Sequence, residues 1–217
     1  YSGTTTASVM DSVNRWAMTQ RSVPELRFVN RYHDDPAYIR ALAAQVRAHW
    51  ATHGASEMLV MSFHGVPERT LQLGDMYHCE CHKTARLLAT ELGLSTEHYR
   101  VTFQSRFGKA KWLEPYTEAT VRELARQGTQ RVDVVCPGFT SDCLETLEEI
   151  AMEVKAAFIE EGGRHFHYIP CLNANADWLQ ALHGVARQHL SGWPLQAADP
   201  GTSAATRRAA LALGAPD

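Results

Sequence analysis

Three stretches of this chain place groups able to do proton or metal chemistry where a strand should end. The first is Ser62-Phe63-His64-Gly65-Val66-Pro67, an apolar run that stops at a histidine followed by glycine. An imidazole there is presented from rigid backbone and titrates near neutral pH, so it can take a proton or bind a metal. Taken alone, His64 carries a structural reading as readily as a functional one. The second stretch runs from Phe103-Gln104-Ser105-Arg106-Phe107-Gly108 to Trp112-Leu113-Glu114-Pro115-Tyr116. It sets aromatic faces beside a cation, a lining suited to a flat anionic ligand. The third is Cys136-Pro137-Gly138-Phe139-Thr140-Ser141-Asp142-Cys143-Leu144-Glu145. Pro137 and Gly138 turn the chain out of a strand, and Ser141 or Asp142 can cap the helix that follows. Inside that helix Glu145, Glu149 and Glu153 form a row at four-residue spacing. Three carboxylates in a row need either solvent or a cation beside them. The helix dipole also favours acids in a first turn, so a solvated acidic face is the plain reading. The position of the row after a strand end favours the cation.

Other groups are set aside. In His78-Cys79-Glu80-Cys81-His82 the two thiols are one residue apart. Zinc and iron–sulfur sites use four placed ligands, and no second pair stands nearby, so these read as thiols at a helix start. Cys136 and Cys171 fall at strand ends and read as small buried hydrophobes rather than nucleophiles. Gly162-Gly163 lacks the spacing of a dinucleotide loop.

The elements that must hold these groups follow from periodicity. Met58–Phe63 is a continuous apolar run of strand length, as expected of a strand covered on both faces. Tyr99–Gln104, Arg131–Cys136 and His167–Pro170 are further strands. Helices are expected over 80–92, ended by Gly93, over 118–126, over 142–161 and over 176–190. Before them come a helix carrying Val9, Val13, Trp16 and Ala17, a short strand at Leu26–Asn30, and a helix opened by Asp34-Asp35-Pro36. Strands alternating with helices imply parallel βαβ units, and so an α/β, doubly wound, Rossmann-like arrangement. The polar stretch Ala51–Ser56 is the best boundary, giving residues 1–52 as part of one unit and 53–195 as a second. Residues 196–217, rich in Ala, Gly and Pro, read as a disordered tail.

Composition narrows the class. Of 217 residues 45% are hydrophobic and 21% charged, and the net charge is −3, so nothing points to nucleic acid or a polybasic membrane surface. Five cysteines, an odd count, read as reduced thiols of a cytosolic protein. No run of 18 apolar residues exists to span a bilayer. The chain opens on polar YSGTTTAS rather than Met or a signal peptide, and an amino-terminal portion is expected to precede it.

Taken in order, YSGTTTAS, YHDDPAYI, SFHGVP, Gly74-Asp75-Met76-Tyr77, TFQSRFG, WLEPYT and CPGFTSDCLETLEEI resemble the motifs of ferrochelatases over residues 1–190. The resemblance implies chelatase-type Rossmann-like domains, one complete and part of a second, with a porphyrin cleft between them. It implies a lyase that inserts Fe²⁺ into protoporphyrin IX at the last step of haem biosynthesis. His64 and Glu145 fall on the family's active-site histidine and essential acid, which makes them the catalytic pair, with Glu149 joining them toward the metal. Phe139, Trp112 and Ser141 fall on porphyrin-side positions. Cys143 stands where some members carry histidine, shifting work onto His64 and the carboxylates. Arg106 reads as a surface arginine, with a propionate contact as the alternative. No [2Fe–2S] cluster is expected, since Gly3 occupies the loop position where cluster-bearing members have cysteine. The expected setting is the cytoplasm, peripheral at the inner membrane. A coproporphyrin or other-metal chelatase, and a non-catalytic porphyrin- or haem-binding protein, are the alternatives.

Overall fold

The computed structural model of the chain describes residues 1–197 and 199–216. Four parallel strands, β1 (Met58–His64), β2 (Tyr99–Gln104), β3 (Arg131–Val135) and β4 (His165–Tyr168), lie in the order β2-β1-β3-β4. The α/β class and the parallel sheet are as the βαβ periodicity requires. Alternate residues of β1 serve opposite cores, which is why its sequence is apolar from Met58 to Met61, and why Ser62, the one polar residue before His64, is buried as well. Leu59, Met61 and Phe63 join one cluster, and Met58 and Val60 join the other.

The first cluster is roofed by α2 (Pro36–His53), α4 (Tyr77–Leu92) and α7 (Ala176–His189). Helix α2 starts where Asp35 accepts from the N–H groups of Ala37 and Tyr38 at 2.8 and 3.2 Å, with Pro36 needing no partner. Gly93 closes α4 in the left-handed region at φ 73°. The second cluster lies under α5 (Thr117–Arg126) and a helical stretch from Glu145 to Glu160. Phe158 there is fully buried, a contribution of about 2–3 kcal/mol.

Ile39, Leu42, Ala43 and Val46 of α2 share a core cluster with Leu59 and Met61 of β1, across the expected 52/53 boundary. Several expectations about single elements are corrected. Leu26–Asn30 forms no strand; it crosses the surface without a strand partner among the described residues. The segment after Asp142 is not one α-helix. Residues Glu145–Val154 form a π-helix, continued by α6 (Lys155–Glu160). Its buried positions Thr146, Ile150 and Val154 recur every four residues, without the three-residue step an α-helix uses to keep one face inward. The tail read as disordered carries a helix over Pro200–Ala212, opened by Asp199, which accepts from Thr202 N–H at 2.7 Å; none of its residues is buried. The helix carrying Val9 and Trp16 (α1, Thr6–Met18) buries only Ala17. A short α3 (Glu68–Gln72) completes the order ahead of α4, so the last helix is α8.

Candidate active site

Because the strands are parallel, their carboxyl ends meet on one edge, and the three reactive stretches meet with them. His64 is the last residue of β1, paired with Gln104 at the end of β2. The turn after β3, Cys136–Phe139, lies alongside. The Nδ1–H of His64 donates to the Gly65 carbonyl at 2.6 Å, since a carbonyl can only accept. That leaves Nε2 with the free lone pair. The Tyr77 hydroxyl donates to the His64 carbonyl at 2.9 Å, and Gly65 N–H donates to the Gln104 carbonyl at 2.7 Å. Gly65 is needed here: a Cβ would sit 2.8 Å from the Gln104 carbonyl oxygen and 3.1 Å from the Trp112 ring.

His64 opens on an apolar recess of about 550 Å³, walled by Trp112, Phe107, Phe139 and Val66 and bounded on its far side by Thr4 and Thr5. The His64 ring stands 6.4 Å from Trp112 and 6.1 Å from Phe139, centroid to centroid. Trp112 is buried and its indole N–H donates to the Phe107 carbonyl at 3.0 Å, holding the exposed Phe107 ring 4.8 Å away. A recess of this size and lining suits a large flat apolar molecule. Lys109 supplies a cation to this wall. Sequence reasoning did not single it out, and weighed a propionate contact only for Arg106, as the alternative to a surface arginine. The Arg106 guanidinium lies 4.2 Å over the Tyr116 ring, outside the recess.

Glu145 faces a second, acidic recess of about 390 Å³ shared with Glu148, Glu149, Glu153 and Arg106. The four-residue row thus stays on one side of the wider π turn. The Glu145 carboxyl is held below its ordinary range, first by a hydrogen bond from Cys143, then by its own backbone N–H, with His64 adding electrostatically. His64 and Glu145 line different recesses.

Glu149 has a further occupation. It accepts from Ser105 N–H at 2.7 Å and from the Ser105 hydroxyl, clamping a residue whose φ of 62° is left-handed. Gln104, also missed, is buried and bridges three elements. Its Oε1 accepts from Ser62 at 2.7 Å and its Nε2 donates to the Glu145 carbonyl at 2.7 Å. Asp142 ties the turn to the β4–α7 loop through Tyr168, the Cys171 N–H and Asn173. Ser141 is exposed and lines neither recess. In the set-aside motif Cys79 is exposed while Cys81 is buried, its thiol pushed up to about 12 by desolvation, so the two sulfurs face different surroundings.

A family model described as Ferrochelatase matches residues 1–190. The chain is 64% identical to a ferrochelatase of a Polaromonas species over 219 residues, covering all of this chain and 59% of that protein. It is 62% identical to one from Methylibium petroleiphilum and 60% identical to one from an Azoarcus species, each over 99% of this chain and 60% of the relative. The chain therefore spans about 60% of the length of the curated relatives it matches.

Proposed function

This chain belongs to the ferrochelatase family, and from that premise we propose that its protein inserts Fe²⁺ into protoporphyrin IX to form protohaem. The observation that carries the reading is His64: the last residue of β1, its Nδ1 engaged by the Gly65 carbonyl, it lines an apolar, aromatic-walled recess at the end of the sheet where the acidic row of Glu145, Glu149 and Glu153 also begins.

Metal insertion removes two pyrrole protons and moves a divalent cation from protein ligands onto ring nitrogens. A flat macrocycle hides its lone pairs in plane, so a wall that favours a bent ring favours the transition state. In this reading Trp112, Phe107 and Phe139 grip the ring. His64 and the Glu145 carboxylate divide the proton and the cation between them. Glu149 and Glu153 lend negative charge to the metal's approach, Glu149 while still holding Ser105. Imidazole and carboxylate together suit a borderline divalent ion such as Fe²⁺. In this reading Lys109, on the recess wall, meets a propionate, and Arg106, over the Tyr116 ring outside the recess, does not. Ser141, exposed and outside both recesses, is given no porphyrin contact in this reading. Iron enters as substrate, and no [2Fe–2S] cluster takes part.

Among the described residues no helix is long and apolar enough to cross a membrane. We place the working protein in the cytoplasm, touching the inner membrane peripherally because its porphyrin is apolar. The test is Fe²⁺ and Zn²⁺ insertion by the complete protein bearing His64→Ala or Glu145→Gln, with protoporphyrin and coproporphyrin side by side. Loss of turnover by a hundredfold or more in each is expected. Near-normal turnover in both overturns the assignment, and preferential use of coproporphyrin overturns the substrate.

A further inference from the structure

At the opposite end of the sheet three side chains converge with no role in the reaction above. We propose that His49, Asp133 and His167 form a second metal site, for a borderline divalent cation such as Zn²⁺. One ligand atom from each lies within 4.8 Å of the others. The His167 Nδ1 is 3.1 Å and the His49 Nε2 3.8 Å from the same carboxylate oxygen, Asp133 Oδ1. Two ligands bound at about 2.0–2.1 Å in a tetrahedral shell stand roughly 3.4 Å apart, so small side-chain shifts close the set.

The site is built. Asp133 is fully buried, and its other oxygen accepts from the Trp50 indole at 2.8 Å, which orients the carboxylate as outer-shell partners do. The His49 side chain is only 10% exposed, and its Nε2 has no hydrogen-bond partner. A buried imidazole nitrogen without a partner, aimed at a carboxylate oxygen too far away to share a proton, is accounted for by an ion between them. His53, one helical turn on, stacks on His49 with ring centroids 4.4 Å apart, its Nδ1 3.1 Å from the His49 carbonyl, which packs the His49 ring from outside the ligand set.

Arg131 is the competing cation, with Nε 3.8 Å from Asp133 Oδ1. Its outer nitrogens are committed to the carbonyls of His53 and Gly54 at the end of α2. A two-histidine, one-carboxylate set leaves a coordination position for water. Asp133 pairs with Leu59, five residues before His64, which puts this site about 16 Å along the strand from the reaction centre.

The experiment uses the complete protein with His64→Ala and Glu145→Gln, so that the reaction centre does not contribute. Zn²⁺ titration by calorimetry should show one remaining equivalent, and Co²⁺ should give the visible bands of a four- or five-coordinate ion. Adding His49→Ala and His167→Gln should weaken that equivalent at least tenfold and abolish the bands. An unchanged Zn²⁺ equivalent, or none in the starting background, overturns the proposal. Should the quadruple variant fail to fold by circular dichroism, crystals of the unmodified protein soaked in Zn²⁺ decide it. An anomalous peak between the three residues supports the site, and its absence overturns it.

Discussion

Gln104→Leu should separate the positioning of Glu145 from the shape of the pocket. Gln104 is 4% exposed and does not line the apolar recess. The substitution keeps roughly the same volume and removes two short hydrogen bonds, from Ser62 and to the Glu145 carbonyl. Ser62 retains Thr117 at 2.7 Å, whereas the Glu145 carbonyl loses a partner at the first residue of the π-helix. A part-buried carbonyl left short costs about 1–3 kcal/mol, and the weakened Ser62 hydroxyl adds about 0.5–1. The sum is about 1.5–4 kcal/mol, or a Tm lowered by roughly 3–16 °C for a chain of this size. Urea unfolding should show the loss in midpoint with the slope unchanged. Turnover should fall tenfold or more as Glu145 drifts, with KM for porphyrin nearly constant, because misplacement by an ångström costs that much or more. Ser62→Ala combined with Gln104→Leu should cost less than the two separately by at least about 0.5 kcal/mol. A stability loss below about 0.5 kcal/mol, or a rise in KM at constant kcat, would refute the reasoning.

Asp142→Asn tests the latch between the π-helix and the β4–α7 loop. Burial pushes the Asp142 carboxyl up, but hydrogen bonds from Tyr168, Asn173 and the Cys171 N–H outweigh it and leave the group below its ordinary 3.8. A carboxyl depressed by folding stabilises above its unfolded pKa and loses that contribution as pH falls through the folded value. The wild-type advantage over the variant, about 1–3 kcal/mol at pH 7, should therefore be intact at pH 5 and shrink below about pH 4. An advantage independent of pH down to 2.5 would refute the latch. Gly65→Ala should cost about 1–3 kcal/mol through overpacking against the Gln104 carbonyl and the Trp112 ring. It should also weaken porphyrin binding, read as fluorescence quenching of the bound ring. Unaltered stability would mean that the strand tip yields more readily than its contacts indicate.

The sheet was legible because each strand is buried on both faces or ends abruptly, and Met58–Phe63 announces itself by having no polar residue until Ser62. His64 was legible as a strand end, and Glu145 through spacing. What escaped the sequence depends on partners distant along the chain. Glu149 looks like one more acid in a row until Ser105 is seen to occupy it. Gln104 looks like the polar end of a strand, and its bridging role appears only when β1 and the π-helix close on it. Lys109 and Arg106 are three residues apart in one loop, and only the loop's course sends one into the recess and the other onto Tyr116. The π-helix had a faint signal, buried positions every fourth residue, that an eye set for α-helices reads as ordinary drift. The single strand expected at Leu26–Asn30 failed for the opposite reason. Local propensity is satisfied there, but no neighbouring strand accepts it.

For redesign of the proposed porphyrin pocket toward other macrocycles, the squeeze at Gly65 sorts the wall into two kinds of ground. The tip of β1 is closed to variation, since even one methyl group meets both the neighbouring backbone and the indole behind it. The stretch 107–110 is open ground. Phe107 is 73% exposed, and a Cβ added at Gly108 would meet nothing within 4 Å. The φ of 71° at Gly108 still favours glycine there. A library aimed at ring size or side-chain pattern belongs at Phe107, Lys109 and Ala110, with His64-Gly65 and Trp112 left as the fixed jaw against which new surfaces are selected.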